Sequence, residues 1–351
     1  MNKKVLLTMT SLLLVSLVLF SSPVYAQEDQ LPEPGITPDS PFYFLDNWGK
    51  GLGLFFAFGP EAKAEKALEY AGERLAEAQA MAAEKRTQAL EKATKGYEQF
   101  LSVASEKAVE ATQQASKEDV SEIVAEATGK HLTVLYELKN RLQEQERVSE
   151  QAIQAIERAY ESSMNGQENA LRALSRVNPE EAIEINLAAI ENRLERARNK
   201  AKEGDTEEVE EALAEAEELS NFGSEISEIA KGLGKDITTV EDRIARATSL
   251  HLEVLVEVLE NVPEQAQTAV ENAIANMMVN REEVLQRLED KGAIGNIPRE
   301  VPALEGFREQ VMERVQERIE ENVPENLQQQ IMERIENRLS NLGPQTSKSS
   351  R

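Results

Sequence analysis

Apolar residues recur at intervals of four and three along most of the chain, which is the spacing of an amphipathic α-helix. The clearest stripe consists of Ala64, Leu68, Ala71, Leu75, Ala78 and Ala82, and its counterpart consists of Ile183, Leu187, Ile190, Leu194, Ala197 and Ala201. Two apolar positions per heptad form a narrow, alanine-rich seam that suits close helix packing. Between Glu61 and Leu342 the sequence has no alternating run typical of a β-strand. We therefore predict an all-α fold of tandem antiparallel long-helix bundles, coiled-coil-like, with a C-terminal helical hairpin.

These stripes belong to an internal duplication. Pro60-Glu61 recurs as Pro179-Glu180, and His131-Leu-Thr-Val-Leu recurs as His251-Leu-Glu-Val-Leu, so the unit is roughly 115–120 residues long. A partial third copy is marked by a second occurrence of Glu-Asn-Val-Pro-Glu, at 321–325. Self-similarity at a fixed spacing is typical of stacked repeats, in which each unit buries its apolar face against a neighbour.

Capping residues divide each copy into four helices of about 25–30 residues. In the second copy, Asn178 precedes Pro179 at a predicted helix start, and Asp205 stands three residues before Glu208. Such side chains accept hydrogen bonds from the free N–H groups of the first helical turn, and proline fits the first position. The connections are a few residues long, which favours antiparallel packing of consecutive helices.

The chain divides into seven predicted segments. They are a signal peptide over 1–26, a Pro-, Gly- and Phe-rich segment over 27–59, helical repeats over 60–176 and 177–290, a linker over 291–302, a helical hairpin over 303–342 and a disordered tail over 343–351. Lys3 and Lys4 precede an apolar run, and Val24-Tyr25-Ala26 is a cleavage-site pattern, which is typical of export. An uncleaved membrane anchor is the alternative, although the run is shorter than the ~20 residues that a span needs.

Composition narrows the chemistry. The 351 residues include 39 Lys and Arg, 64 Asp and Glu, two His and no Cys, with a formal charge of -25. Nucleic acids and anionic lipids bind clustered basic residues, so this balance predicts no nucleic-acid partner. Without Cys the chain forms no disulfide, thiol nucleophile or thiolate metal site, and two His cannot form a three-His centre.

His131 and His251 occupy the same place in both copies. Both lie in apolar stripes, which are Val120, Ile123, Ala127, His131, Val134 and Leu138 in one copy and Val240, Ile244, Ala247, His251, Val254 and Val258 in the other. Residues one turn away carry no metal-ligating group. We interpret both as partly buried structural histidines, and a pH-sensitive contact or a ligand role stays open. Arg74 and Arg193 also recur beside the seam, where we expect an ion pair or stem packing.

Other candidate chemistry finds little support. Acidic runs such as Glu207-Glu208-Val-Glu210-Glu211 could attract divalent cations, but the sequence has no oxygen-rich calcium loop, and carboxylates on a straight helix diverge. Serine elbows, glycine-rich phosphate loops and zinc-protease helices are also absent from the sequence. We therefore predict no catalytic, cofactor-binding or metal-binding residue, no cofactor and no enzymatic activity.

Aromatic residues concentrate in one short stretch. Phe42, Tyr43, Phe44, Trp48, Phe55, Phe56 and Phe58 lie within seventeen residues of a chain that is only 5% aromatic. Two interpretations stay open: a strap that seals one end of the first bundle, or an exposed patch that docks on a partner, a glycan or a membrane interface. The candidate partner-binding residues are Phe42, Tyr43, Trp48, Phe55, Phe56 and Phe58. Glycines at 49, 51, 53 and 59 predict against a stable amphipathic helix here.

Three motifs carry a resemblance to a known family. They are Pro38-Asp-Ser-Pro-Phe-Tyr-Phe-Leu45, Phe58-Gly-Pro-Glu-Ala-Lys-Ala64 and Ala71-Gly-Glu-Arg-Leu-Ala-Glu-Ala78. In these motifs, and over about residues 34–140, the chain resembles the secreted bacterial family DUF5667, a domain of unknown function. The downstream copies are similar to helical repeats that accompany that domain. The resemblance implies an exported all-α domain and supplies no catalytic residues.

These observations predict an exported, non-enzymatic helical scaffold or binding module. We expect it in the cell envelope or the extracellular space, bound to a protein or an envelope component, with no transmembrane span in the mature chain. The alternative is an extracellular sensor or sequestering protein that takes up cations or basic peptides through its acidic helix faces.

Overall fold

A computed structural model describes residues 31–115, 119–145, 149–298 and 301–340. The predicted signal peptide over 1–26 and the predicted tail over 343–351 lie outside the described residues.

The described residues form long helices and no strands, which confirms the predicted all-α class. In chain order the helices are α1 (Tyr43–Phe56), α2 (Gly59–Ala83), α3 (Thr87–Ala115), α4 (Asp119–Gln143), α5 (Glu150–Val177), α6 (Pro179–Glu203), α7 (Thr206–Gly232), α8 (Thr238–Asn261), α9 (Glu264–Asp290), α10 (Arg308–Asn322) and α11 (Glu325–Ser340). A short 3-10 helix, Pro302–Phe307, precedes α10.

The predicted caps Asn178 and Asp205 begin the first two helices of the second copy. The Asn178 side chain accepts a hydrogen bond of 3.2 Å from the Glu181 N–H at the start of α6, and the Asp205 side chain accepts one of 3.3 Å from the Glu208 N–H at the start of α7. Each bond satisfies an N–H group that has no partner within its helix. Gly204, with φ of +79°, ends α6 in the left-handed conformation that glycine adopts without strain.

Consecutive helices pack as antiparallel hairpins, and the hairpins stack side by side. One hydrophobic core joins helices α2 to α5 with the first part of α6, the end of α7 and the start of α8. A second core joins the rest of α6, the start of α7 and the rest of α8 with α9, α10 and α11. Ile183 belongs to the first core, Ile190 to the second, and Leu187 contacts both. Helices α6, α7 and α8 of the second copy therefore contribute to both cores, and the core contacts of α6 change about one third of the way along its length.

The predicted seams are buried, but the stripe around the histidines is shifted. Ala64, Ala71 and Leu75 are fully buried, as their period predicts. Ile123, in contrast, is 42% exposed, and Val124 beside it is fully buried. The four-and-three spacing fits either assignment, and the packing of α4 against α5 selects Val124.

The C-terminal hairpin forms from α10 and α11, which meet at Val323-Pro324 as the sequence predicts. Val311, Val315 and Ile319 of α10 are buried in the second core. The predicted linker before this hairpin also contributes to packing, because Ile297 is buried against a small hydrophobic cluster at the end of α9.

Both histidines are buried in the helix interfaces. The Nδ1 atom of His131 lies 3.2 Å from the hydroxyl of Tyr97, and that hydroxyl also hydrogen-bonds to Ser163. Burial lowers the pKa of His131 and of His251 from 6.5 to about 4. At neutral pH both imidazole rings are therefore uncharged, and Nδ1 of His131 can accept a hydrogen bond from the Tyr97 hydroxyl.

We expect acid to destabilise the fold through these two rings. The unfolded chain binds a proton at each ring near pH 6.5 and the folded chain only near pH 4, so stability falls as the pH drops through this window. At pH 5 the loss is about 2 kcal/mol per histidine, by the linkage relation. Urea unfolding at pH 7 and pH 5 should show a smaller pH effect in the variant His131→Leu/His251→Leu. An equal pH effect in both proteins would contradict this explanation.

Candidate functional site

The aromatic segment folds as helix α1, so the prediction against a helix is wrong. Gly49, Gly51 and Gly53 lie inside the helix. Each glycine costs a helix roughly 0.5–1 kcal/mol relative to alanine. Contacts with α2 supply the stabilisation that local propensity does not.

Helix α1 turns its apolar side away from the protein. The exposed large apolar side chains of α1, together with Phe42 and Phe58 just outside its two ends, are Phe42, Phe44, Leu45, Trp48, Leu52, Phe55, Phe56 and Phe58, and we call this set the aromatic face. Its aromatic members are between 60% and 86% exposed. With 150–250 Å² for each aromatic side chain, their exposed area is on the order of 800 Å², above the 300–600 Å² of the largest apolar patch on a typical monomer.

Five of the six predicted partner-binding residues belong to the aromatic face. Tyr43 does not, because its half-buried ring packs against the Arg74 guanidinium, 4.7 Å from ring centroid to Cζ. Phe44, Leu45 and Leu52 complete the face but were not among the six candidates. Helical spacing of positions 44, 48, 52 and 55 is the signal that identifies them once α1 is known to be a helix.

Apart from Tyr43 and Leu54, which pack against the bundle, the inward side of α1 is polar and ionic. Lys50 is only 5% exposed, and its Nζ atom lies 2.8 Å from Asp46 of its own helix and 2.6 Å from Glu73 of α2. Asp46 also accepts a 2.6 Å hydrogen bond from Nη2 of Arg74. A soluble protein usually directs the apolar side of a surface helix to its core. Here the direction is reversed.

Arg74 of α2 is the centre of this contact. The side chain is fully buried, Nη1 donates to both carboxylate oxygens of Glu77 at 2.6 Å, and Nη2 donates to Asp46 and to Oδ1 of Asn47 at 2.6 Å each. Burial alone would raise the pKa of Asp46, but the hydrogen bonds from Lys50 and Arg74 lower it below its usual value. Asp46 is therefore held as an anion beside two cations.

Two glycines provide space for this arrangement. A Cβ atom on Gly53 would overlap the hydroxyl of Tyr70, so glycine permits the close approach of α1 to α2. A Cβ atom on Gly96 of α3 would lie 2.9 Å from Cδ of Arg74, which is closer than real contacts allow. Gly96 thus leaves room for the buried arginine.

The second copy places its arginines in a different network. Arg193 and Arg196 of α6 both bind Glu215 of α7, at 2.7 and 2.8 Å, and the Tyr160 hydroxyl donates to the same carboxylate at 2.6 Å. Ion pairs at both repeated arginines confirm the role expected for Arg74 and Arg193. The carboxylate that pairs with these arginines lies inside the bundle, so no added helix supplies it.

The histidines offer no comparable site. Tyr97 and Ser163, the groups that His131 contacts, are fully buried, and burial raises the pKa of Tyr97. A nucleophile in this position has no path to solvent. Among the described residues, no group of three or more His, Asp or Glu is placed to hold a metal ion.

A cleft of about 1260 Å³, lined by both apolar and charged side chains, lies between α2, α4 and α6. Glu126, Lys130, Glu137 and Arg141 alternate in charge along its α4 wall, and Leu31 to Pro34 lie at one side. The charges of this wall cancel, so the cleft has no net attraction for a charged ligand.

We expect Asp46→Asn to loosen α1 without unfolding the bundle. The change removes the negative charge that Lys50 and Arg74 share. A hydrogen bond to a charged group contributes about 2 kcal/mol, which corresponds to about a 30-fold change in the equilibrium between α1 packed on α2 and α1 detached from it. Chymotrypsin cleaves after aromatic residues, so α1 should be cut faster in this variant. Asp242→Asn is the matched control, because Asp242 pairs with Arg246 on the surface of α8. Equal cleavage rates in both variants would contradict the role of Asp46.

The comparisons with known proteins bear on part of the chain. No curated protein matches it. A solved structure described as "Computational Design of Self-Assembling Cyclic Protein Homooligomers" is 14% identical, covers 81% of this chain and 95% of its own, and has a TM-score of 0.24. Residues 35–145, which contain α1 to α4 and the Arg74 contact, match the family described as Domain of unknown function (DUF5667), so the resemblance seen in the sequence is confirmed for this region.

Proposed function

We propose that the protein is an exported, non-enzymatic helical binding module, or scaffold, of the cell envelope or the extracellular space, and that it attaches through the aromatic face. The observation that carries the proposal is the reversed polarity of α1. Its two charged side chains, Asp46 and Lys50, form ion pairs with α2, and the side chains of the aromatic face are exposed to solvent. Exposed apolar surface of this size marks an interaction site.

Export is supported by the sequence before residue 27. Lys3 and Lys4, the apolar run and Val24-Tyr25-Ala26 form the pattern of a secretory signal peptide. Among the described residues, no helix is long and apolar enough to cross a membrane. A non-covalent contact through the aromatic face would then hold the exported chain at the cell envelope.

A non-enzymatic role is supported by where the reactive groups lie. Both histidines are buried and uncharged at neutral pH, so neither can exchange protons with a substrate in solution. The aromatic face itself presents no titratable side chain. It can bind an apolar surface, but it cannot transfer a proton or attack a bond.

The alternative, uptake of cations or basic peptides, has less support. Glu208 and Glu211 belong to the acidic run with the highest charge density, yet Lys139 of α4 lies 3.3 and 2.9 Å from them. Acids that pair with the chain's own lysines are less available to an external cation. The acidic surface therefore serves solubility better than capture.

Cell fractionation tests the proposed attachment. In a bacterial host that expresses the full chain, we expect the protein in the envelope fraction and the variant Phe55→Ser/Phe56→Ser mainly in the medium. The control is Leu233→Ser/Leu250→Ser, which changes two exposed leucines outside the aromatic face. Retention of the Phe55/Phe56 variant at the level of the control would refute attachment through α1.

A further inference from the structure

The aromatic face is free of charge in a highly charged protein. Between Ser40 and Pro60 the only charged residues are Asp46 and Lys50, although 29% of the chain is Asp, Glu, Lys or Arg. Both side chains lie on the inward side of α1 and form ion pairs with residues of α2. The surface that meets the partner therefore requires no opposite charge, and the formal charge of -25 disfavours an anionic partner.

The aromatic face is also poor in hydrogen-bonding groups. Among its eight side chains, only the indole of Trp48 can donate a hydrogen bond. A specific protein–protein interface has about one hydrogen bond per 100–200 Å², so a face on the order of 800 Å² would usually present several polar groups. An apolar helix side with one amphipathic tryptophan is instead typical of a helix that lies in a membrane interface.

The face is convex. Its aromatic side chains stand out from α1 and from the residues at the two ends of this helix, and within the helix Trp48 is 68% and Phe55 74% exposed. A folded protein could bind such a row only in a groove of matching shape. Fluid acyl chains need no matching shape, and they accommodate apolar side chains to a depth of about 5–10 Å.

The N-terminal segment of the chain enters the structure beside α1. A Cβ atom on Gly35 would lie 3.2 Å from Oε1 of Glu77 and 3.6 Å from Nζ of Lys50, so the chain passes the inner side of α1 at this residue. The predicted export segment, 1–26, lies fewer than ten residues before Gly35, which corresponds to at most about 35 Å of extended chain. Export through a membrane thus delivers α1 close to that membrane.

We propose that the aromatic face binds the interface of a lipid bilayer with electrically neutral headgroups. This inference rests on the proposed function and names the surface to which α1 attaches. Helix α1 lies parallel to the membrane, Trp48 is at the level of the headgroups, and the ion pairs of Asp46, Lys50 and Arg74 remain on the protein side. The acidic bundle stays in water, away from the lipid.

Trp48 is the only tryptophan of the chain, so its fluorescence reports on this face alone. The exported protein is titrated with phosphatidylcholine vesicles, and all variants are prepared with the same N-terminus. We expect the emission of Trp48 to shift to shorter wavelength, and we expect lipids with brominated acyl chains to quench it. Phe55→Ser/Phe56→Ser should weaken vesicle binding at least about tenfold, because burial of one Phe contributes 1.5–3 kcal/mol, whereas Leu233→Ser/Leu250→Ser should not change it.

Three results would overturn the lipid assignment. They are an unchanged Trp48 spectrum at high lipid concentration, binding that requires anionic lipid, and a spectral shift that depends on protein concentration without lipid, which would indicate a second copy of the chain. If the Phe55/Phe56 variant still leaves the envelope fraction in cells, only the lipid inference fails. If the variant is retained there, the proposed attachment fails as well.

Discussion

The buried guanidinium of Arg74 determines how the N-terminal part of this protein is arranged. A charge without water must be surrounded by acceptors, since an unpaired buried ion costs several kcal/mol. Glu77 of the same helix supplies one carboxylate, and Asp46 and Asn47 of α1 supply the other acceptors. Helix α1 must therefore turn its polar side inward. Its phenylalanines and Trp48 face outward as a direct consequence, because they occupy the opposite side of the same helix.

Comparison of the two copies explains why only the first one holds such a helix. Thr87 begins α3 and Thr206 begins α7, and in this register Glu77 corresponds to Arg196 and Gly96 to Glu215. In the second copy Glu215 of α7 forms an ion pair with each of the two arginines. In the first copy the glycine leaves Arg74 without that acceptor and opens space beside it. The acceptor then comes from outside the bundle, from α1.

The sequence predicts where helices begin and end better than it predicts how the helices pack against one another. Caps at Asn178 and Asp205 and the break at Val323-Pro324 are local signals, and the structure confirms them. Helix α1 could not be predicted in this way, because its stability comes from ion pairs with residues more than twenty positions away. Whether Ile123 or Val124 is buried depends on how α4 packs against its neighbours, which the spacing of apolar residues does not determine. The sharing of α6 between two cores likewise depends on stacking that repeat spacing does not specify.

The aromatic face depends on the bundle for its existence. A 14-residue helix with three internal glycines is too short and too flexible to persist alone in water. Without α2 the phenylalanines would have no common direction, and their apolar area would not be continuous. Folding of the bundle therefore creates the face, since the Arg74 contact both forms α1 and orients it. It follows that an unfolded chain lacks the aromatic face, which forms only when α1 packs against α2.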